Sequence, residues 1–159
     1  MTADGLTHLR GDGTAHMVDV SGKEVTARSA SAEGVVLLSP AAVEALRGGT
    51  VPKGDALGVA RVAGIQAAKR TPDLVPLCHP VAVHAVEVDL EVQDRGVRIV
   101  ATVRTADRTG VEMEALTCVS VAALALVDMV KAVDRLATIT EVRVTAKSGG
   151  RSGDWVRPA

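Results

Sequence analysis

Residues 81–105, VAVHAVEVDLEVQDRGVRIVATVRT, decide the fold of this chain. Apolar and polar residues alternate up to Val92, and the alternation resumes at Val97. A period of two residues is typical of a strand that buries one face. The sequence between the two halves, Asp-Arg-Gly at 94–96, is a turn sequence. The segment therefore predicts a β-hairpin.

The elements around this hairpin define a fold class. Residues 25–38 predict a strand, 55–70 a helix with Asp55 as its N-cap, 112–133 a long helix and 138–146 a last strand. The order strand, helix, strand, strand, helix, strand is that of the ferredoxin-like, or split βαβ, fold. We expect an α+β protein with an antiparallel sheet and helices on one face. A short helix capped by Ser39, with Pro40 at its first position, is an insertion.

The length of 159 residues suits one domain with its own core. No internal repeat or low-complexity linker divides the chain. Residues 1–16 are polar and predict a flexible N-terminal arm. Residues 148–159 form a glycine-rich tail, which we expect to be mobile unless a partner holds it.

Composition excludes several classes of function. The net charge is −1, so no long-range field attracts the chain to nucleic acid or to an anionic membrane. Trp155 is the sole aromatic residue, which argues against base stacking on aromatic platforms. The longest uncharged run, residues 115–127, is shorter than the roughly 20 residues that span a bilayer. Two cysteines and no secretory signal pattern favour a cytoplasmic protein with reduced thiols.

The predicted long helix has apolar residues on every side, and such a helix must be covered on more than one face. A two-layer domain covers one face, so we expect a subunit interface to cover another. Asp128 and Lys131 lie one turn apart in this helix. They are either an exposed ion pair or, given their apolar neighbours, a desolvated pair with perturbed proton affinities.

Residues 71–80 form a loop that three prolines stiffen, and this loop presents Cys78 and His79. The two residues lack the spaced partners of a structural zinc site. A nucleophilic Cys78 would need a base and an orienting group that the sequence does not place. His79 is more economically a proton carrier or a phosphate donor.

Other polar residues lie at the ends of predicted elements. Lys53, in GGTVPKGD, is either a solvated turn lysine or an anion ligand beside a helix N-terminus, and its loop is not a Walker A motif. Glu112 and Glu114 either complement a helix dipole or bind the edge of a guanine-like ring. With the further cations Lys69, Arg70, Lys131 and Lys147, these residues suit a polyphosphate joined to a polar heterocycle.

Four segments carry a family resemblance: HMVDVSGK (16–23), KGDALGVARVAGIQAAKRTPDLVPLCHP (53–80), TGVEMEALTCVSVAALALVDMVKAVD (109–134) and AKSGGRSGD (146–154). They closely resemble the cyclic pyranopterin monophosphate synthase family of molybdenum cofactor biosynthesis. The similarity extends from about Leu6 to Asp154.

The resemblance implies a ferredoxin-like subunit in a hexamer, a trimer of dimers with active sites at subunit interfaces. It implies that cyclised dihydro-GTP becomes cyclic pyranopterin monophosphate with loss of pyrophosphate. We expect no cofactor and no metal site in the protein; whether magnesium accompanies the triphosphate stays open from the residues. By the resemblance, Asp128 is catalytic, and Lys53 and Lys131 are essential for the rearrangement; we add His79 as a proton carrier. The residues that the resemblance places at the substrate are Arg28, Lys69, Arg70, Leu77, Cys78, His79, Glu112, Met113, Glu114 and Lys147.

Two other functions remain open from the residues alone. A nucleotide-binding regulatory module without turnover would use the same phosphate-binding cations, and a ferredoxin-like fold does not fix function. A metal-dependent phosphohydrolase would need a set of carboxylate or histidine ligands that the sequence does not supply.

Overall fold

The computed structural model describes residues 7–159 as one five-stranded antiparallel sheet with helices. The elements are β1 (Thr26–Leu37), α1 (Pro40–Arg47), α2 (Ala56–Ala68), α3 (Thr71–Leu74), β2 (Val83–Gln93), β3 (Gly96–Asp107), α4 (Glu112–Val130), β4 (Thr138–Ser148) and β5 (Trp155–Val156). The strand order is β2-β3-β1-β4-β5.

The predicted hairpin is β2 and β3, which pair from Val83 with Thr105 to Gln93 with Gly96. Strand β3 also pairs with the whole of β1, and β4 lies on the other side of β1. Since the two helical crossovers each skip a strand, the first four strands have the ferredoxin-like arrangement. The fold-class prediction is confirmed.

Helices α2 and α4 pack on each other and cover one face of the sheet. The core between these layers is built from small and medium apolar side chains, such as Ala32, Val36, Ile99 and Leu126. In place of large aromatic side chains, the two helices approach each other closely. A Cβ added at Gly64 of α2 would lie 2.9 Å from the Cys118 carbonyl oxygen of α4. The helices are therefore in backbone contact at this point.

The predicted caps are present. The Ser39 hydroxyl accepts from the Ala42 amide at 3.4 Å, and the Asp55 carboxylate accepts from the Gly58 amide at 2.8 Å. Helix α4 ends at Val130, three residues before the predicted end, and turns follow it.

Helix α4 has a mean hydropathy of 1.8 and is the one described helix long and apolar enough to suit a membrane span by length and composition. Nine of its residues are buried, including Cys118, Val119 and Leu126, against α2 and the sheet. It is the central core helix of this domain.

Two expectations about irregular segments need correction. The tail is not free in the structure, because Trp155 and Val156 pair with Lys147 and Ala146 as strand β5. The proline-rich segment is not all loop, since Pro72 lies in the first turn of the short helix α3. In the predicted N-terminal arm, Leu9 and Ala15 form a bridge, and residues 1–6 lie outside the described part of the chain.

Candidate active site

A lysine–aspartate cluster lies at the C-terminal end of α4. Asp128 accepts a hydrogen bond from Lys53 at 2.8 Å on one oxygen and from Lys131 at 2.6 Å on the other. Lys131 follows α4 directly, and Lys53 comes from the turn before α2. The sequence places Asp128 and Lys131 one turn apart, whereas the fold supplies Lys53 from 75 residues away.

The two ammonium groups hold the pKa of Asp128 at about 2, with the hydrogen bond from Lys131 as the larger cause and that from Lys53 second. Asp128 is therefore a carboxylate at neutral pH. Of the two alternatives for Asp128 and Lys131, a single subunit has the exposed ion pair, because their side chains are 55% and 58% exposed. The apolar neighbours pack toward α2 and the sheet, and Asp128 points outward.

A second group of predicted residues lines a cavity of about 390 Å³ at the N-terminal end of α4, which we call the helix-end pocket. Its walls contain the segment after α3 and the first turn of α4, which contribute Leu77, Cys78, His79, Glu112, Met113 and Glu114. This size suits a small ligand.

Glu114 is the buried carboxyl of the helix-end pocket, with 3% of the residue exposed. Burial is the main cause that raises its pKa to about 6; one backbone hydrogen bond opposes this shift and the nearby Glu112 carboxylate adds to it. A carboxyl group of this kind exchanges its proton close to neutral pH, as a general acid or base must.

Cys78 and His79 have different environments in the same pocket. Burial, and then the proximity of Glu114, raises the pKa of the Cys78 thiol, so this residue is not an activated thiolate. The His79 ring Nε2 donates to the Val18 carbonyl oxygen. This bond ties the N-terminal segment to the pocket wall. Cys118 is fully buried, and burial raises its pKa to about 12.

A smaller cavity of about 200 Å³ adjoins the helix-end pocket and shares Glu112 with it. Here Lys147 lies 3.2 Å from a Glu112 oxygen, and the Arg28 side chain donates to the Asp107 carbonyl oxygen at 3.1 Å. The structure thus places Arg28 and Lys147 around the same cavity as Glu112, a carboxylate of the first turn of α4. Their cationic groups are the right chemistry for phosphate oxygens.

Lys69 and Arg70 stand apart from these cavities. Both are exposed at the C-terminal end of α2, and neither lines the helix-end pocket or the adjoining cavity. They precede α3, which leads the chain into the pocket wall. Their predicted contact with substrate stays a prediction.

The two groups of site residues lie at opposite ends of α4. Glu112 and Asp128 are sixteen residues apart in one helix, a distance of about 24 Å at 1.5 Å per residue. One subunit therefore does not bring the lysine–aspartate cluster to the helix-end pocket.

Sequence reasoning missed the part that the N-terminal segment plays in the site. Thr7, His8, Val18, Val20 and Lys23 all line the helix-end pocket. The segment HMVDVSGK (16–23) resembles the family, but its contact with His79 joins residues about 60 positions apart. Within residues 7–159, no group of three or more His, Cys, Asp or Glu side chains is arranged to hold a metal ion.

Comparison with known proteins gives the family. The model of the MoaC family matches residues 17–150, which include both ends of the site. The chain belongs to the MoaC family. The matched range begins within the N-terminal segment and ends in the turn after β4.

Similar proteins support the MoaC assignment over nearly the whole chain. A protein of Streptomyces coelicolor named cyclic pyranopterin monophosphate synthase is 68% identical over 97% of this chain and 91% of its own length. Proteins of the same name from Corynebacterium glutamicum and Parvibaculum lavamentivorans are 57% and 56% identical. The former alignment covers 94% of this chain and 96% of the relative, and the latter 98% of each.

Proposed function

We propose that this MoaC family protein is a cyclic pyranopterin monophosphate synthase, a lyase of molybdenum cofactor biosynthesis. It converts (8S)-3',8-cyclo-7,8-dihydroguanosine 5'-triphosphate to cyclic pyranopterin monophosphate and releases pyrophosphate. The observation that carries the proposal is Asp128 bonded by both Lys53 and Lys131, because a nucleotide-binding module has no need for this acid–base group. Relatives of this name at high identity support it.

The active site is composed of two subunits. The lysine–aspartate cluster and the helix-end pocket are too far apart to act on one small molecule within one chain, so each is completed by a partner copy. The helical layer also has exposed apolar side chains, Val59 and Val62 on α2 and Met113 and Leu124 on α4, which such an interface would cover. We infer a hexamer built as a trimer of dimers, in the cytoplasm.

The helix-end pocket holds the guanine-derived ring. Glu112 and Glu114 lie where the first turn of α4 enters the pocket, and carboxylates pair well with the N–H groups of the guanine edge. With its pKa near 6, Glu114 is able to accept from such an edge when ionised or to donate when protonated. The pocket is therefore suited to a ring that changes its protonation during the reaction.

The lysine–aspartate cluster of the second subunit carries out the proton transfers. Opening the five-membered ring of the guanine requires a base for water and an acid for nitrogen, and closing the new ring requires further transfers. Asp128, ionised at neutral pH, is the acceptor, and the ammonium groups of Lys53 and Lys131 are the donors. His79 is a further proton carrier once its ring leaves the Val18 carbonyl.

Cations at the adjoining cavity hold the phosphates. Lys147 pairs with Glu112, and a phosphate that binds Lys147 frees Glu112 for the ring. Arg28 lines the same cavity, and we assign Lys69 and Arg70 to the remaining phosphate oxygens. In the last step a ribose oxygen attacks the α-phosphorus, and the cations stabilise the charge on the departing pyrophosphate.

The test measures pyrophosphate release and pterin formation from the cyclised dihydro-GTP. Wild type should form both products, and Lys53→Ala should form neither at a comparable rate. Arg95→Ala, which removes a cation in the β2–β3 turn, is the matched control and should retain activity. Tight binding without turnover by folded wild-type oligomer would contradict the proposal and favour a regulatory module.

A further inference from the structure

The turn between β4 and β5 contacts two cations of the site. This tail turn, residues 148–152, follows Lys147 and passes Arg28 of β1. The Lys147 ammonium donates to the Ser152 hydroxyl at 3.2 Å. The Gly149 amide donates to the Asp154 carboxylate at 3.2 Å and closes the turn. The tail turn thus folds back on the Lys147 side chain, which directly precedes it.

Strand β5 anchors the far side of the tail turn. Trp155 pairs with Lys147 itself, and Val156 pairs with Ala146. Beyond them, Arg157 donates from its amide to the Thr145 carbonyl at 2.8 Å and from its side chain to the Val144 carbonyl at 2.7 Å. Its guanidinium also lies 5.6 Å from the Trp155 ring centroid, within the range of a cation–π contact. These bonds fix both ends of the turn to the sheet edge.

Gly150 is the point where the tail turn meets Arg28. Its φ is +73°, a left-handed conformation that favours glycine. A Cβ at this position would overlap the Arg28 guanidinium. On the other side, the Arg28 side chain donates to the carbonyl oxygens of Asp107 and Arg108 at 3.1 and 3.3 Å. The guanidinium is therefore held between the turn and the end of β3.

We propose that Gly150 and Ser152 are positioning residues for the anion-binding cations. Gly150 leaves the space that Arg28 occupies, and Ser152 orients the Lys147 ammonium beside it. The tail turn thereby fixes the two cations of the adjoining cavity before a phosphate arrives, which lowers the ordering cost of binding. This inference rests on the proposed function for the identity of the substrate, but the cations would bind a pyrophosphate anion in any case.

The first experiment compares Gly150→Ala with Gly153→Ala. Both glycines have a left-handed φ, +73° and +65°, so an alanine is strained at either position. A Cβ at Gly153 would meet no atom within 4 Å, whereas one at Gly150 displaces the Arg28 side chain. We expect the Kd for inorganic pyrophosphate, measured by calorimetry on the intact oligomer, to rise about tenfold more in Gly150→Ala, as for a lost charged hydrogen bond. KM for the substrate should rise likewise.

A double-mutant cycle tests whether Gly150 acts through Arg28. In an Arg28→Ala background, Gly150→Ala should weaken pyrophosphate binding no more than Gly153→Ala does. For Ser152, alanine should weaken binding and Ser152→Thr, which keeps the hydroxyl, should restore it. Equal effects of the two glycine variants, or failure of threonine to restore binding, would overturn the positioning roles. Wild type that binds pyrophosphate but forms no product would overturn the proposed function alone.

Discussion

The Asp128 carboxylate joins two ammonium groups that come from separate parts of the chain, so its charge is the feature to test at the residue scale. Asp128→Asn keeps the size of the side chain and removes the proton acceptor. We expect kcat to fall by about 10²–10⁴-fold, the typical contribution of one acid–base group, with a smaller change in KM. Steady-state pyrophosphate release gives both constants.

The control for Asp128→Asn is Asp89→Asn, the same change at an exposed position of β2. It should leave kcat within a factor of about two, as is usual for a surface substitution. Near-normal turnover by Asp128→Asn would show that Asp128 has a structural role only. Circular dichroism on both variants excludes a loss of fold as the cause.

Glu114 makes stability depend on pH. Its pKa is raised from 4.5 in the unfolded chain to about 6 by burial, so the unfolded state loses its proton first. The free energy of unfolding should therefore fall as pH rises from about 4.5 to about 6, and stay lower above that range. The loss is about 2 kcal/mol, at 1.36 kcal/mol per pKa unit.

The measurement is urea unfolding of wild type and Glu114→Gln at pH 4 and pH 7.5, at equal protein concentration. Glutamine cannot ionise, so the variant should gain about 2 kcal/mol relative to wild type between the two pH values. Glu91→Gln, at an exposed position of β2, should show no such gain. If the free energies of unfolding of Glu114→Gln and wild type differed by the same amount at both pH values, the pKa of Glu114 would not be raised in the folded state.

At the scale of elements, the contact of α2 with α4 depends on the absence of a side chain at Gly64. A Cβ there would lie 2.9 Å from the Cys118 carbonyl oxygen and 3.1 Å from the Ala122 Cβ. Gly64→Val should lower the free energy of unfolding by about 3 kcal/mol, because an overpacked helix contact forces backbone shifts. Gln66→Val introduces the same residue at an exposed position of α2 and should cost less than about 1 kcal/mol. Equal costs would mean that the helices separate without strain.

The sequence predicts those elements that are determined by residues close together in the chain. The β2–β3 hairpin, the caps at Ser39 and Asp55 and the long helix each follow from neighbouring residues, and the structure confirms them. Strand β5 has two residues, too few for a period, and forms because β4 offers a free edge. The glycine-rich sequence therefore predicts a mobile tail here.

In the site, too, the sequence predicts contacts between residues close in the chain and not those between distant segments. Asp128 and Lys131 lie one turn apart at the end of α4, a spacing that the sequence shows, but Lys53 joins them only through the packing of α2 on α4. The sequence leaves open whether the Asp128–Lys131 pair is exposed or desolvated, since apolar neighbours in a helix do not say which way one side chain points. The N-terminal wall of the helix-end pocket likewise depends on a bond between His79 and Val18.

At the scale of the whole molecule, α4 acts as a spacer. It holds the helix-end pocket at its start and the lysine–aspartate cluster at its end, about 24 Å apart by the helical rise. Two copies whose helical layers face each other in antiparallel orientation would bring the end of one α4 to the start of the other. A two-fold axis has this effect, because an isologous contact exchanges the two ends of a helix.

A composite site predicts that two inactive variants restore activity when their subunits mix. Lys53→Ala removes a residue at one end of α4 and His79→Ala one at the other, so some mixed interfaces carry both wild-type halves. After equal subunits are unfolded and refolded together, activity should return to about one quarter of wild type by random pairing. Lys53→Ala mixed with Asp128→Asn is the control. Both changes affect the lysine–aspartate cluster, so every subunit in this mixture carries a defective cluster and activity should stay absent. Recovery in both mixtures, or in neither, would contradict a site shared between subunits.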